Sequence, residues 1–212
     1  GHLGVLSFHE TKNIISGEGG MLLVNDERFL DRAGIIREKG TNRSAFLDRQ
    51  VNKYEWVDVG SSYMPSELIA AYLFAQLEST DQIQKKRRET WDLYNALLRP
   101  LEKKGVRLPF APSYSSHNAH IFYLVCRTSG ERDQLIEHLN KKGIQAVFHY
   151  QSLHKSRYFR QNAKMIPDLQ QCEKYSACLV RLPLFFELPL ELVHSICENV
   201  LGFYGENSAL PC

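Results

Sequence analysis

The sequence has no long apolar run and no marked excess of one charge. None of its apolar stretches approaches the roughly 20 residues that a membrane-spanning helix needs, and its start does not resemble a secretory signal peptide. Its 26 Lys and Arg residues and 24 Asp and Glu residues are interspersed and give a net charge of +2. A protein that binds a phosphate backbone usually concentrates its basic residues on one face. We therefore expect neither a membrane nor a nucleic-acid partner.

Paired cysteines and a metal-ligating cluster are also missing. The five cysteines are odd in number and contain no CxxC pair, which favours reduced thiols and a cytoplasmic protein. Two histidine pairs have spacings that a zinc site could use, but no carboxylate or cysteine group completes either pair. The prediction is that no metal is bound. The residues concerned are Cys126, Cys172, Cys178, Cys197 and Cys212, and the pairs His117 with His120 and His149 with His154.

Two common catalytic motifs are incomplete. The glycines at 17, 19 and 20 are followed by Met21 rather than by Lys and Ser or Thr, which disfavours an ATP-binding P-loop. The Gly60-Ser61-Ser62-Tyr63 segment lacks the second glycine of a serine-hydrolase elbow.

The 212 residues, 43% of them hydrophobic, suffice for one large or two small cores. Apolar periodicity with glycine, proline and capping residues predicts strands alternating with helices, which indicates the α/β class. The segment 41–59 lacks a period and is predicted as a long ordered loop, whereas the helix after Pro65 is apolar on nearly all sides and should be buried. The Lys85–Arg88 run is predicted as a solvated helix face, although it could border an anionic site. The predicted strands are 5–8, 21–25, 121–126, 146–149 and 180–182, the predicted helices are 27–39, 65–77, 81–104, 131–142, 169–179 and one from Pro189, and a polar tail is expected from Gly205.

Lys12 differs from the other lysines because it lies between a short apolar strand and a glycine-rich turn. An amine in an apolar pocket loses the solvation that favours its charged form, so its pKa falls and it can condense with a carbonyl. Ser7 could contact a phosphate oxygen, and a lysine beside a phosphate site suggests pyridoxal phosphate. The same spacing is also typical of an ordinary loop lysine beside a turn between strands, and spacing alone favours that simpler interpretation.

The longest motif favours the first interpretation by resemblance. The string Ser7-Phe8-His9-Glu10-Thr11-Lys12-Asn13, followed by Gly17-Glu18-Gly19-Gly20, resembles the lysine segment of the sugar-nucleotide aminotransferases of the DegT type. Further similar segments extend the resemblance over nearly the whole chain: 36–43, 59–63 with 70–71, 147–150 with 153–154, and 181–185.

The resemblance implies a fold and a domain layout. The fold is α/β, the C-terminal part of a fold-type I, aspartate aminotransferase-like, pyridoxal-phosphate-dependent transferase. Residues 1–80 would be the later part of the large cofactor domain, 81–108 a long connecting helix, and 109–212 a small α/β domain. The last of these boundaries is supported by composition, because prolines in Leu108–Pro112 and the serines that follow are typical of a segment between domains. In the family, the aspartate at the pyridine nitrogen and the aromatic ring on the cofactor precede the lysine segment, so they are expected outside this chain.

The resemblance also assigns residues. Lys12 matches the lysine that bonds to pyridoxal phosphate and moves the proton, Ser7 matches the serine at the phosphate, and Asn13 lies beside the lysine. Ser62 stands where many members have an Asn that reaches the phosphate across a dimer. His149 and Tyr150 match a His-Tyr pair on the substrate side.

The implied activity is amino transfer between glutamate and a 4-keto-6-deoxy sugar nucleotide by a homodimer. A sugar dehydratase on the same fold is an alternative, but that subgroup has histidine where this chain has Lys12. A non-catalytic fragment or dimerising module is the other alternative.

Overall fold

In the computed structural model, residues 1–165 and 167–206 are described. They form two compact units, Gly1–Asp81 and the described residues from Gln82 onward. The helices of the described residues include none that is both long and apolar enough to cross a bilayer.

The first unit begins with an antiparallel hairpin. Its strands run from Leu3 to Ser7 (β1) and from Gly20 to Val24 (β2), with Leu3 opposite Val24 and Ser7 opposite Gly20. Both expected strands are therefore present, each shifted by one or two residues. The hairpin is followed by a 3₁₀ turn Glu27–Phe29 and by the helices α1 (Leu30–Arg37), α2 (Arg43–Leu47) and α3 (Glu67–Glu78).

Two predictions for this unit are wrong. The segment 41–59 contains the short helix α2, which five residues are too few to reveal by periodicity. The apolar helix α3 starts at Glu67 after the Ser66 cap, two residues later than expected. It has no buried residue, and Leu68 is 85% exposed. Apolar composition predicts that a helix is buried against other residues. It does not predict that those residues belong to the same unit.

Apolar surface is exposed across the first unit. Among its described residues, Phe8 is the one apolar side chain that is buried. On the hairpin, the exposed large apolar residues are Leu3, Val5, Leu6, Met21, Leu22 and Leu23. Hydrophobic burial therefore contributes little to the stability of the Gly1–Asp81 unit.

The second unit is a three-stranded antiparallel sheet with helices. The strands β3 (Phe122–Val125), β4 (Val147–Phe148) and β5 (Leu179–Leu182) are arranged in the order β3-β5-β4. The helices are α4 (Thr80–Leu98), α5 (Ser129–Lys141), α6 (Arg157–Asn162), α7 (Gln170–Cys178) and α8 (Leu190–Glu206), with 3₁₀ segments at Arg99–Lys104 and Leu153–Lys155. Helix α8 includes Gly205 and Glu206, and residues 207–212 of the expected polar tail, with Cys212, lie outside the described residues.

The core of this unit joins α4 to the sheet. Tyr94 and Leu98 of α4 are fully buried with Phe122 of β3, and the Tyr94 and Phe122 rings stack at 5.0 Å between centroids. Arg107 and Val125 exchange backbone hydrogen bonds of 3.1 and 2.9 Å, so the chain on either side of the 108–112 composition break belongs to one unit. Helix α4, from Gln82 onward, thus packs within this compact unit.

The basic run on α4 is not wholly solvated. Arg87 is only 6% exposed and donates hydrogen bonds to the backbone oxygens of Ala119 (3.2 Å), His120 (2.6 Å) and Leu184 (3.4 Å). Burial lowers the pKa of Arg87 to about 10, which leaves the guanidinium charged at neutral pH. The prediction that this run is a solvated helix face is wrong at Arg87. The backbone oxygens that accept its hydrogen bonds lie far away in the sequence, so the run itself gave no sign of them.

Candidate functional site

The Lys12 loop is closed by its own backbone. Beyond the end of β1, Phe8 donates to the Gly19 oxygen and Glu10 to the Gly17 oxygen, both at 2.9 Å, and Ser16 donates back to the Phe8 oxygen at 2.7 Å. Gly17 has a φ of +80°, a left-handed conformation that favours glycine. A Cβ at Gly19 would lie 2.6 Å from the Ser16 hydroxyl, which is itself buried. The glycines therefore let a loop of this length fold tightly against the hairpin.

Lys12 lies at the end of a tight turn in that loop. Its backbone nitrogen donates to the His9 oxygen at 2.9 Å, and the His9 ring is held by the Thr11 hydroxyl at 2.9 Å. The side chain is half-buried, not buried as the sequence suggested. Within the described residues the Lys12 ammonium forms no ion pair, so the amine is not committed to a carboxylate.

The two neighbouring candidates lie on the same hairpin. Ser7 is the last residue of β1 and is exposed, and its hydroxyl accepts a weak hydrogen bond from the His9 nitrogen at 3.4 Å. Its own O–H can still donate to a phosphate oxygen. Asn13 directly follows Lys12 and is half-buried. The structure thus brings Ser7, Lys12 and Asn13 into one loop and its flanking strand.

Ser62 lies in another part of the same unit. Its backbone is held in an isolated antiparallel bridge with Glu38, and its side chain is exposed. The two segments of this bridge lie so close together that a Cβ added at Gly60 would be 2.2 Å from the Gly40 nitrogen. Side chains other than hydrogen are therefore excluded at Gly60, which fixes the backbone that carries Ser62.

A buried carboxylate beside this bridge was missed from the sequence. Glu38 is 8% exposed and pairs with Arg37 at 3.0 Å and Arg43 at 3.3 Å. Burial acts to raise the pKa of Glu38, but the hydrogen bonds from the two guanidinium groups outweigh it and hold the pKa below its usual value. The charged residues of segment 37–43 could be seen in the sequence as part of the segment that resembles the family. The ion pairs that Glu38 forms with Arg37 and Arg43 could not.

His149 and Tyr150 belong to the second unit, immediately after β4. Their rings lie 5.3 Å apart between centroids, with His149 half-buried and Tyr150 exposed. The His149 Nδ1 atom is buried without a hydrogen-bond partner in the described structure. Burial, and then the positive charge of Arg181, lower the pKa of His149.

Arg181 is a further polar residue at this place that the sequence did not single out. It lies in the central strand β5, opposite Tyr123 of β3 and Val147 of β4. Its guanidinium carbon is 5.6 Å from the Tyr150 ring centroid, and its Nε is buried without a partner in the described structure. An arginine inside the otherwise apolar strand Leu179–Leu182 was the available signal.

No three His, Cys, Asp or Glu side chains of the described ranges come together as a metal site. In the same ranges Cys126, Cys172, Cys178 and Cys197 are free thiols.

Comparison with known proteins shows the family of this chain. The model of the DegT/DnrJ/EryC1/StrS aminotransferase family matches residues 1–201. The chain belongs to this family. Members of the DegT/DnrJ/EryC1/StrS family are pyridoxal-phosphate-dependent aminotransferases, as the resemblance implied.

Solved structures show the same fold. The aminotransferase TlmJ from Streptoalloteichus hindustanus is 22% identical with a TM-score of 0.84, over 97% of this chain and 53% of that one. PseC from Helicobacter pylori, an aminotransferase of pseudoaminic acid biosynthesis, is 22% identical with a TM-score of 0.80, over 97% and 54%. A putative pyridoxal-phosphate-dependent aminotransferase from Bacillus cereus is 28% identical with a TM-score of 0.78, over 93% and 51%. The expected fold class, α/β of fold type I, is confirmed, and the chain spans about half the length of the structures it matches.

The Lys12 loop fits the family's cofactor in its donor set. An amine without a carboxylate partner can bond to an aldehyde, and a strand-end hydroxyl at Ser7 can donate to a phosphate oxygen.

Proposed function

We propose that this chain is part of a pyridoxal-phosphate-dependent aminotransferase that moves an amino group from glutamate to a dTDP-4-keto-6-deoxy sugar. The product would be an aminosugar nucleotide such as dTDP-4-amino-4,6-dideoxygalactose, used for cell-envelope polysaccharide. The observation that carries the proposal is Lys12, an amine without an ion pair in the described residues, in a glycine-closed loop that resembles the family's lysine segment.

Each candidate residue has a physical role in the proposal. Lys12 holds the cofactor through Nζ and, when released, carries a proton at Nζ between substrate and cofactor. Ser7 binds the phosphate through its hydroxyl, with Asn13 and Ser62 as further polar contacts. His149 and Tyr150 contact the substrate. When bound, pyridoxal phosphate supplies the electron sink for negative charge on the substrate carbon.

The proposal extends to assembly and domains. Residues 1–80 would belong to the cofactor domain, and the complete enzyme would be a cytoplasmic homodimer with no metal. The exposed apolar faces of β1, β2 and α3 support a larger assembly, since soluble proteins rarely leave such surface uncovered.

The direct test is an amino-transfer assay with glutamate and a dTDP-4-keto-6-deoxy sugar. It should be run on this chain and on a protein extended upstream. We expect activity in the extended protein, loss of that activity in Lys12→Gln, and full activity in the control Lys53→Gln, which removes an exposed lysine of the same unit. Equal activity in the chain alone would refute the proposal that it is only part of the enzyme. Activity in neither protein would favour a structural module over an enzyme.

A further inference from the structure

The turn that carries Lys12 begins at His9. The Lys12 nitrogen donates to the His9 oxygen at 2.9 Å, which closes a β-turn over residues 9–12. The His9 nitrogen donates in turn to the Ser7 hydroxyl at 3.4 Å. The main chain of His9 is therefore bonded to both Lys12 and Ser7, the two residues to which the proposed function gives the firmest cofactor roles.

The His9 ring holds the middle of this turn. Its Nδ1 atom accepts a hydrogen bond from the Thr11 nitrogen at 3.2 Å, because a backbone N–H can only donate. The Thr11 hydroxyl lies 2.9 Å from the same Nδ1 atom, so it donates as well. Two donors at Nδ1 select the neutral ring that carries its hydrogen on Nε2.

The other ring nitrogen of His9 has a weaker contact. Nε2 lies 3.5 Å from Oε1 of Glu18, and the Glu18 side chain is exposed. Pairs between exposed charged or polar side chains contribute little to a conformational equilibrium. The Nδ1 atom, not Nε2, is therefore the part of the ring that keeps the turn in its shape.

The Nδ1 contact resembles a common bond within β-turns. At the first turn position, Asn, Asp or Ser often accepts a hydrogen bond from the backbone N–H two residues further on. Here His9 occupies the first position and Thr11 the third. Asparagine carries its Oδ1 atom as many bonds from the backbone as histidine carries Nδ1, whereas the glutamine amide lies one bond further out. Asparagine can therefore replace the acceptor, and glutamine cannot.

We propose that His9 is a positioning residue for the cofactor, whose Nδ1 atom keeps the turn in the shape that presents Lys12 and Ser7 to one ligand. The inference rests on the proposed function for the identity of that ligand, pyridoxal phosphate. When only a fraction of the molecules has the competent turn, the apparent dissociation constant rises in inverse proportion to that fraction. Loss of the acceptor therefore weakens cofactor binding although every group that touches the cofactor is still present.

The test is equilibrium dialysis of the upstream-extended protein and its variants with pyridoxal phosphate. His9→Leu has the size of asparagine but no acceptor. It should raise the dissociation constant about fivefold to fiftyfold, since each of the two lost hydrogen bonds is worth about twofold to tenfold. His9→Asn should bind within about twofold of the parent, and His9→Gln should bind as weakly as His9→Leu. His2→Leu removes the other histidine of the Gly1–Asp81 unit and should bind as the parent does.

Two further measurements separate positioning from a folding defect. At saturating pyridoxal phosphate, borohydride should label Lys12 as fully in His9→Leu as in the parent, whereas a misfolded fraction would lower the final label. The ¹⁵N resonances of the His9 ring should show a hydrogen on Nε2 and none on Nδ1. If His9→Leu does not fold, judged by its circular dichroism, the comparison of His9→Asn with His9→Gln decides.

Three binding results would overturn the inference: His9→Leu binds the cofactor within about twofold of the parent, His9→Gln binds as well as His9→Asn, or the parent binds no pyridoxal phosphate. A hydrogen on Nδ1 of His9, or a lower final label in His9→Leu, would also overturn it. Its failure is distinct from that of the proposed function. Amino transfer by the parent with unchanged cofactor binding in His9→Leu would overturn the positioning role alone. Cofactor binding that depends on His9, without amino transfer to the keto sugar, would support the positioning role and refute the proposed function.

Discussion

Replacing Arg87 by alanine should destabilise the second unit more than any other change within the basic run of α4. The guanidinium donates to three backbone oxygens, of Ala119, His120 and Leu184, at 3.2, 2.6 and 3.4 Å. These acceptors lie in two different connections, so one side chain ties both to α4.

The size of the effect follows from these bonds. A hydrogen bond from a charged donor contributes about 1.5–3 kcal/mol. The sum for three is an upper bound, because burying the guanidinium costs part of it, and the 3.4 Å contact is weak. We expect a loss of about 3–5 kcal/mol, below that upper bound, because the backbone oxygens also lose their donor.

Urea unfolding followed by the fluorescence of Trp91, which is buried in the same unit, measures this loss as a free energy of unfolding. Arg87→Lys keeps the charge but not the planar fork, so its loss should be intermediate. The control is Arg88→Ala, which removes the next, exposed arginine and should change the free energy by less than about 0.5 kcal/mol. Equal losses in Arg87→Ala and Arg88→Ala would refute the reasoning.

Three further predictions follow from the units and the candidate site. Amide hydrogen exchange should be faster in Gly1–Asp81 than in the β3-β5-β4 sheet, because Phe8 is the one buried apolar side chain among that unit's described residues; uniform protection would contradict this. The pKa of Glu38 is lowered in the folded state, so its contribution to stability is present above its usual pKa of 4.5 and is lost as the pH falls through the folded value. Unfolding measured against pH should show this loss in the parent and not in Glu38→Gln. Matching pH profiles of the two proteins would exclude this contribution of Glu38. Ser7→Ala should weaken the binding of pyridoxal phosphate about tenfold to a hundredfold, as measured by equilibrium dialysis of the upstream-extended protein, and an unchanged dissociation constant would remove Ser7 from the site.

Local signals in the sequence predicted the regular elements well. The helix expected at 131–142 is observed at Ser129–Lys141, with the Thr128 hydroxyl as its cap and Gly143 at a φ of +75° after it. The hairpin around Lys12 was also predictable, because its glycines and apolar strands are adjacent in the sequence. The short helices α2 and α6 were missed, since five or six residues do not complete a recognisable period.

Long-range partners could not be read from the sequence. Arg87 looks like any residue of a basic run, and its burial depends on acceptors 32 to 97 residues away. Arg181 and Glu38 likewise acquire their significance from neighbours across strands and bridges. The exposure of α3 shows the reverse case, in which an apolar pattern is genuine but its cover does not come from the residues of its own unit.

The central claim is that Lys12 carries the cofactor. Borohydride reduction of the upstream-extended protein in the presence of pyridoxal phosphate, followed by peptide mapping, tests it most directly. The account predicts a phosphopyridoxyl group on Lys12, and no such group in the Lys12→Gln variant. A label on another lysine, or no label on a folded preparation, would contradict it.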